Sequence, residues 1–231
     1  EDPAQHYQFP REQQDDFAIE SLTRAKKAIE DGTFVNEIEP VTVSTRKGDV
    51  EVTTDEQPHS ANIEKIPQLK PAFRKDGTVT PANSSSISDG AAALVLMRLS
   101  EAEKRGLTPL AKINAHATHA QEPAWFTTAP IGSIEKVLAK AGWEKDDVDL
   151  FEINEAFAVV TMAAMRDLDL PHDKVNVHGG ACALGHPVGA SGARIIVTLL
   201  NALNKYDLRK GVASLCIGGG EATAVAIERM N

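Results

Sequence analysis

The sequence predicts a layered α/β fold, and three observations carry that prediction. From Ala91 onward, short apolar runs alternate with segments of helical period, the pattern of a sheet covered by helices. Asn154 and Cys216 each follow an apolar run, and open α/β sheets collect ligand sites at the carboxyl ends of their strands. Gly179 to Ile195, reading GGACALGHPVGASGARI, sets five glycines and one proline around His186 and then runs into an apolar helix.

In chain order, Pro10 to Glu30 reads as an amphipathic helix with Phe17, Leu22, Ala25 and Ile29 on its apolar stripe. Pro10 suits a first turn, and Asp31-Gly32 closes the helix. Glu37 to Val43 and Val50 to Thr54 read as an exposed hairpin around Arg46-Lys47-Gly48-Asp49. Residues 55–80, rich in Pro, Lys and Gln, read as irregular. Ala91–Met97 then reads as a strand, Ser100–Arg105 as a short helix capped by Ser100, and Leu110–Ala117 as a second strand. Ile131 to Ala141 is a helix ended by Gly142. The strand Val148 to Ile153 leads to Asn154-Glu155-Ala156-Phe157, which opens the next helix. There Asn154 is the natural N-cap and Glu155 suits the dipole of the first turn. After the glycine loop a helix extends to about Tyr206, and Val212–Leu215 and Ala222–Glu228 close the pattern as strands.

Composition narrows the function classes. The chain is 42% hydrophobic and 25% charged, ordinary for a soluble globular protein. Its net charge of −9 and the lack of a basic cluster argue against nucleic acid, and its apolar runs are too short to span a bilayer. Glu1 opens without a charged-then-apolar leader. Cys182 and Cys216 lie in separate glycine-rich loops, which suits reduced thiols of a cytoplasmic enzyme better than a disulfide. The seven histidines show no metal-ligand spacing, so no metal is expected.

Chemistry concentrates in three loops carrying an amide, an imidazole and a thiol. Dense glycine marks backbone at unusual angles or against a ligand, and the His-Pro step holds His186 on a stiff turn. Taken singly, each residue has a simpler role: Asn154 as a cap, His186 as a turn residue, Cys216 as core. The triplet Gly218-Gly219-Gly220, poor core material, points instead to a ligand beside Cys216. The glycine loop lacks the lysine and Ser/Thr of a P-loop and the spacing of a dinucleotide fingerprint.

The stretches NEAFA at 154–158, VNVHGGACALGHPVGASGARI at 175–195 and SLCIGGGEATAVAIE at 214–228 resemble the thiolase family of acyl-CoA acyltransferases. NSSSISDGAAALVLM at 83–97 and PREQQDDFA at 10–18 are weaker matches, in the same order. The resemblance spans essentially the whole chain. It implies a thiolase-like layered fold of two βαβαβαββ halves with a loop domain inserted in the first. Residues 1–80 correspond to the remainder of that loop domain and residues 81–231 to the second half, the C-terminal thiolase domain. The nucleophilic cysteine of the family lies in the first half, which this chain does not represent.

By the same resemblance the reaction is a Claisen condensation of acetyl-CoA or the thiolytic cleavage of a 3-ketoacyl-CoA, within fatty acid metabolism. Cys216 is the implied acid/base, and His186 and a water held by Asn154 bind one thioester oxygen. The backbone N–H of Gly218 serves the second oxyanion hole. Ser85 matches a serine at the pantetheine arm, Ala156 and Phe157 line the acyl pocket, and Phe126 stands where biosynthetic relatives often carry methionine. The segment DEQPHS at 55–60 lacks an arginine that some relatives place near the nucleotide. His178 replaces a frequent asparagine, and Cys182 a frequent aliphatic residue. Coenzyme A thioester is substrate, and no cofactor is implied. Expected partners are acyl-CoA, coenzyme A, the N-terminal half and further copies in a homo-oligomer. Without that half, an apolar face on the helix after Asn154 or the one after Ser191 is expected to stand open. Two alternatives compete: a non-catalytic coenzyme A-binding or partner subunit of the same fold, and a carrier-protein ketoacyl synthase. The Cys-x-Gly step at Cys216 disfavours the latter.

Overall fold

A computed structural model describes residues 1–230. The chain opens with a short helix α1 (Asp2–His6) and the long helix α2 (Arg11–Glu30), whose N-cap is Pro10. The predicted stripe of α2 is inward, with Phe17, Leu22 and Ala25 buried. Gly32, at φ 72°, turns the chain out of the helix. Strands β1 (Val41–Thr45) and β2 (Gly48–Val52) form a hairpin with Val41 opposite Val52 and Thr45 opposite Gly48, and both are exposed throughout. The turn is the two residues Arg46-Lys47, shorter than predicted, and β1 starts later than Glu37 because a 3-10 turn at Thr33–Asn36 precedes it. A single turn α3 (Gln57–Ser60) and a 3-10 segment Ile63–Gln68 interrupt the otherwise irregular 55–80 stretch.

Residues 91–97 are not a strand. No ladder includes them, and Val95 and Leu96 are 86% and 70% exposed. Their continuous apolar run, AAALVLM, suits a buried strand, but a strand exists only where an edge is available to share its hydrogen bonds, and none of the described strands lies there. Helix α4 (Leu99–Lys104) follows with Arg98 as N-cap and no side-chain cap, so Ser100 lies inside the helix rather than capping it.

The rest forms one layered unit from β3 (Ala111–Ala120), α5 (Ala129–Ala141), β4 (Leu150–Ile153), α6 (Ala158–Asp167), α7 (Ala181–Leu184), α8 (Ser191–Lys205), β5 (Lys210–Ile217) and β6 (Glu221–Arg229). Gly142 ends α5 at φ 68°, a left-handed cap that residues with a Cβ adopt at a cost. The strand order is β3-β6-β5-β4, with β4 and β5 parallel and the other neighbours antiparallel. A bridge between Phe151 and Val175 extends the sheet by one position beyond β4.

Alternate residues of β4 face opposite layers. Phe151 and Ile153 pack with Ile134 and Val137 of α5 and Val160 of α6. Leu150 packs with Ile195, Leu199 and Leu203 of α8. Each fully buried aliphatic side chain of this kind contributes about 1.5–3 kcal/mol relative to exposure. The faces of α6 and α8 are therefore covered, contrary to expectation, because this sheet fills both. The exposed apolar surface lies elsewhere: Ile87, Val95 and Leu96, with Leu107, Leu110 and Ile113 near the start of β3.

Candidate active site

The site forms at the carboxyl end of the parallel pair. Ile153 of β4 lies opposite Ser214 of β5, and the Asn154 amide donates to the Ser214 carbonyl at 2.9 Å. Cys216 follows two residues further along β5 and so reaches the same edge.

Asn176 fixes the exit of β4. Its Oδ1 accepts from Ile153 N at 2.8 Å, while its Nδ2 donates to Ile153 O and to the Glu155 carboxylate, each at 2.8 Å. Residues 154–157 precede α6, whose N-cap is Phe157. Asn154 is thus not a helix cap, and Glu155 is not in a first turn. An asparagine ahead of an apolar run gives the same local signal in either case.

Glu155 is instead a buried hub. It accepts from Ser21 Oγ at 2.7 Å, Asn176 Nδ2 at 2.8 Å and the backbone N–H of Cys182 at 3.0 Å. Burial pushes its carboxyl above the usual range, and these donors oppose that shift. A Cβ at Gly180 would collide with the same carboxylate, so the glycine there is needed for the loop to close around it. Sequence reading missed this role. The available signal was an acid inside the apolar stretch FEINEAFAVV, which has to find partners when buried.

The loop then delivers His186. Gly185 takes φ 81°, and His186 N donates to Ser86 O at 3.0 Å, joining the 84–87 segment to the site. His186 Nε2 lies 3.4 Å from Asn154 Nδ2, and Nδ1 lies 2.6 Å from Ser191 Oγ at the start of α8. Burial, with the nearby charge of Arg194, holds the imidazole below its ordinary value, so it is neutral near pH 7. Asn154 Oδ1 is buried without a hydrogen-bond partner.

Cys216 is 7% exposed, and burial pushes its thiol up to about 11. It rests as S–H at neutral pH. A Cβ on Gly218 would meet nothing within 4 Å, so the backbone just beyond the thiol is open to an approaching group. Ala156, Phe157 and Phe126 are partly buried and pack against the apolar cluster that contains Cys216. Phe157 also meets Phe73 edge to face at 6.0 Å. Ser85 binds the loop itself: its N–H and hydroxyl donate to Ala156 O at 3.1 and 3.0 Å.

His178 and Cys182, the two residues that the resemblance singles out as unusual, make no contact with Asn154, His186 or Cys216 among the hydrogen bonds described. His178 is buried between Phe34 and Tyr206, and burial drops its imidazole to about 4. Cys182 is held beside Glu155, with its thiol pushed well above the ordinary range by burial. Both cysteines are free. Among the described residues no group of three or more His, Cys, Asp or Glu is placed to hold a metal ion. No described helix is long and apolar enough to cross a membrane.

A neutral imidazole meets an amide, and a protonated thiol and an open glycine backbone lie at the same strand edge; groups of these kinds are able to donate to an oxyanion and to exchange a proton. Comparison with known proteins gives the family. The family model "Thiolase, C-terminal domain" matches residues 107–229, and "Thiolase, N-terminal domain" matches residues 1–100. This chain belongs to the thiolase family.

It is 52% identical over 232 residues to the cytosolic acetyl-CoA acetyltransferase of Mus musculus, covering 99% of this chain and 58% of that protein. It is 50% identical to a probable acetyl-CoA acetyltransferase of Dictyostelium discoideum, covering 100% of this chain and 56% of that protein. The Bacillus anthracis acetyl-CoA acetyltransferase superposes with a TM-score of 0.96 at 45% identity, over 99% of this chain and 58% of that one. Human mitochondrial 3-ketoacyl-CoA thiolase superposes at 0.92 and 38% identity, with the same coverage of 99% and 58%. The chain therefore spans less than two thirds of the length of these relatives. Residues 91–97, which stay outside the sheet, fall within the N-terminal match.

Proposed function

We propose that this chain supplies the acid/base and an oxyanion-binding side of a thiolase, which condenses acetyl-CoA or cleaves a 3-ketoacyl-CoA. The observation that carries the reading is the meeting of Asn154 and His186 at the strand edge that also bears Cys216. In the cleavage direction the breaking C–C bond leaves its electrons on an acetyl-CoA enolate. The Cys216 S–H, protonated at rest, delivers its proton to that carbon and becomes a thiolate. In synthesis the thiol first gives its proton to the coenzyme A thiolate expelled as the nucleophile is acylated, and the resulting thiolate then removes the proton from the methyl group of the second acetyl-CoA. The developing charge on the enolate oxygen needs donors already in place, and His186 and a water held by Asn154 fill that role, while the Gly218 N–H serves the second oxyanion hole.

The nucleophile that carries the acyl group belongs to the N-terminal half by family resemblance, so a polypeptide of these 231 residues is inactive alone. The exposed run at 91–97 and the apolar surface near Leu110 support docking of that half, and completion of a further sheet by residues 91–97. Two free thiols favour a reducing compartment such as the cytoplasm. The test joins this chain to the N-terminal half of a relative and compares Cys216→Ser with the parent. Condensation is lost while acylation of the nucleophile by acetyl-CoA persists. Equal loss of both assigns Cys216 a structural role instead.

A further inference from the structure

The hydroxyl of Ser191, first residue of α8, is fully buried and 2.6 Å from Nδ1 of His186. It has one proton and two acceptors in reach, Nδ1 and the Pro187 carbonyl at 3.1 Å. That carbonyl already accepts the N–H groups of Ala190 at 2.7 Å and Ser191 at 2.9 Å, which occupy both of its lone pairs. The imidazole nitrogen is the closer acceptor and the one with a free lone pair in its neutral form.

We propose that Ser191 is a positioning residue that sets the tautomer of His186: its hydroxyl donates to Nδ1 and leaves the ring proton on Nε2. Nε2 is the nitrogen on the Asn154 side, where the ring must present a donor if it is to hold an oxyanion. The neighbouring amide fits this state. Asn154 Oδ1 is buried and partnerless, and a half-turn of the amide brings it toward the Nε2 proton at the long spacing of 3.4 Å. A contact that long holds the proton loosely and releases it to a substrate oxygen. The start of α8 also disfavours a positive ring, since its N-terminal dipole and Arg194 both oppose the imidazolium. Burial, with Arg194, thus keeps His186 neutral, and the first turn of α8 points its single proton.

The catalytic consequence rests on the thiolase reading, whereas the tautomer does not, and the test separates them. Histidine labelled with a nitrogen isotope is incorporated into the 231-residue chain, and His186 is assigned by the signal lost in His186→Gln. At about pH 8, where histidine is neutral, the expected result is a protonated Nε2 and a bare Nδ1. Ser191→Thr preserves that pattern, and Ser191→Ala introduces the Nδ1–H form. If the alanine variant fails to fold, Ser191→Cys keeps the volume with a weaker donor and gives an intermediate pattern. A parent His186 protonated on Nδ1, or a tautomer untouched by removing the hydroxyl, overturns the proposal. In the enzyme completed with an N-terminal half, Ser191→Ala lowers kcat about 10-fold, less than the 10²–10³ of deleting an oxyanion donor. KM moves less than about twofold, and Ser191→Thr recovers the rate. A tautomer change without loss of kcat leaves the assignment of Ser191 standing and overturns the role given to His186.

Discussion

Strand β6 and residues 91–97 both read as strands in the sequence and meet opposite fates. Glu221–Arg229 alternates small and apolar residues between two ladder partners, and Ala222, Ala224 and Ala226 are buried. Ala91–Met97 is apolar throughout but joins no ladder, and its largest side chains face solvent. Local pattern specifies a surface that wants covering; it does not say whether the cover lies in the same stretch of chain. Around β4 and β5 the strand exit and the glycine loop are held by hydrogen bonds from within the chain, whereas residues 91–97 have no strand partner among the described residues.

The sharpest test of the first region is chemical. In an enzyme assembled with an N-terminal half, Cys216→Ala lowers condensation by about 10²–10⁴-fold, the range for losing a positioned acid/base. Stopped-flow of acetoacetyl-CoA cleavage, beside labelling of the acyl-enzyme, checks it. A smaller but structural effect follows from the Glu155 hub. Glu155→Ala strands three buried donors, from Ser21, Asn176 and Cys182. The loss is about 3–4 kcal/mol, read as a lower urea midpoint. Glu51→Ala, on the exposed hairpin, changes stability by less than about 0.5 kcal/mol. Equal effects at the two positions would erase the distinction between the regions.

On the open side, Leu96→Lys with Leu110→Lys should reduce self-association of the isolated chain, followed by light scattering across micromolar concentrations. Leu110 is 72% exposed, so the change leaves the folded core intact. A parent chain that is a clean 24.8 kDa monomer would contradict the docking role of this surface.

Two further effects are read in the dependence of stability on pH. His178 binds its proton less tightly folded, at about 4 against an ordinary 6.5, because burial penalises the cation. Its contribution is therefore present above pH 6.5 and lost as pH falls toward 4. His178→Asn makes the acid limb of the stability curve shallower. Glu152 runs the other way. Burial, only partly offset by Arg194 at 3.9 Å, lifts it to about 8, so its contribution is lost as pH rises from 4.5 through 8. Glu152→Gln flattens the alkaline limb, and thermal melts between these limits check both signs.

What was legible in the sequence follows the same division. Gly142, the helix from Ser191 and strands β5 and β6 announce themselves through neighbours along the chain, and the three loops pointed to one sheet edge before any geometry was known. Asn154 as a cap failed because capping and edge placement share one local signature. The hub at Glu155 was out of reach because its partners Ser21 and Asn176 lie 134 and 21 residues away. The strand at 91–97 failed because its cover is not among the described strands.

Under the proposed function, Asn154, His186 and Cys216 are this chain's share of a thiolase site, and the nucleophile comes from the N-terminal half. The most direct measurement is complementation. Chain of verified 24.8 kDa mass is assayed for acetoacetyl-CoA cleavage, alone and after assembly with the N-terminal half of an acetyl-CoA acetyltransferase. The expected result is no turnover by the chain alone and turnover on assembly that disappears with Cys216→Ser. Turnover by the chain alone, or an assembled enzyme indifferent to Cys216→Ser, would contradict it.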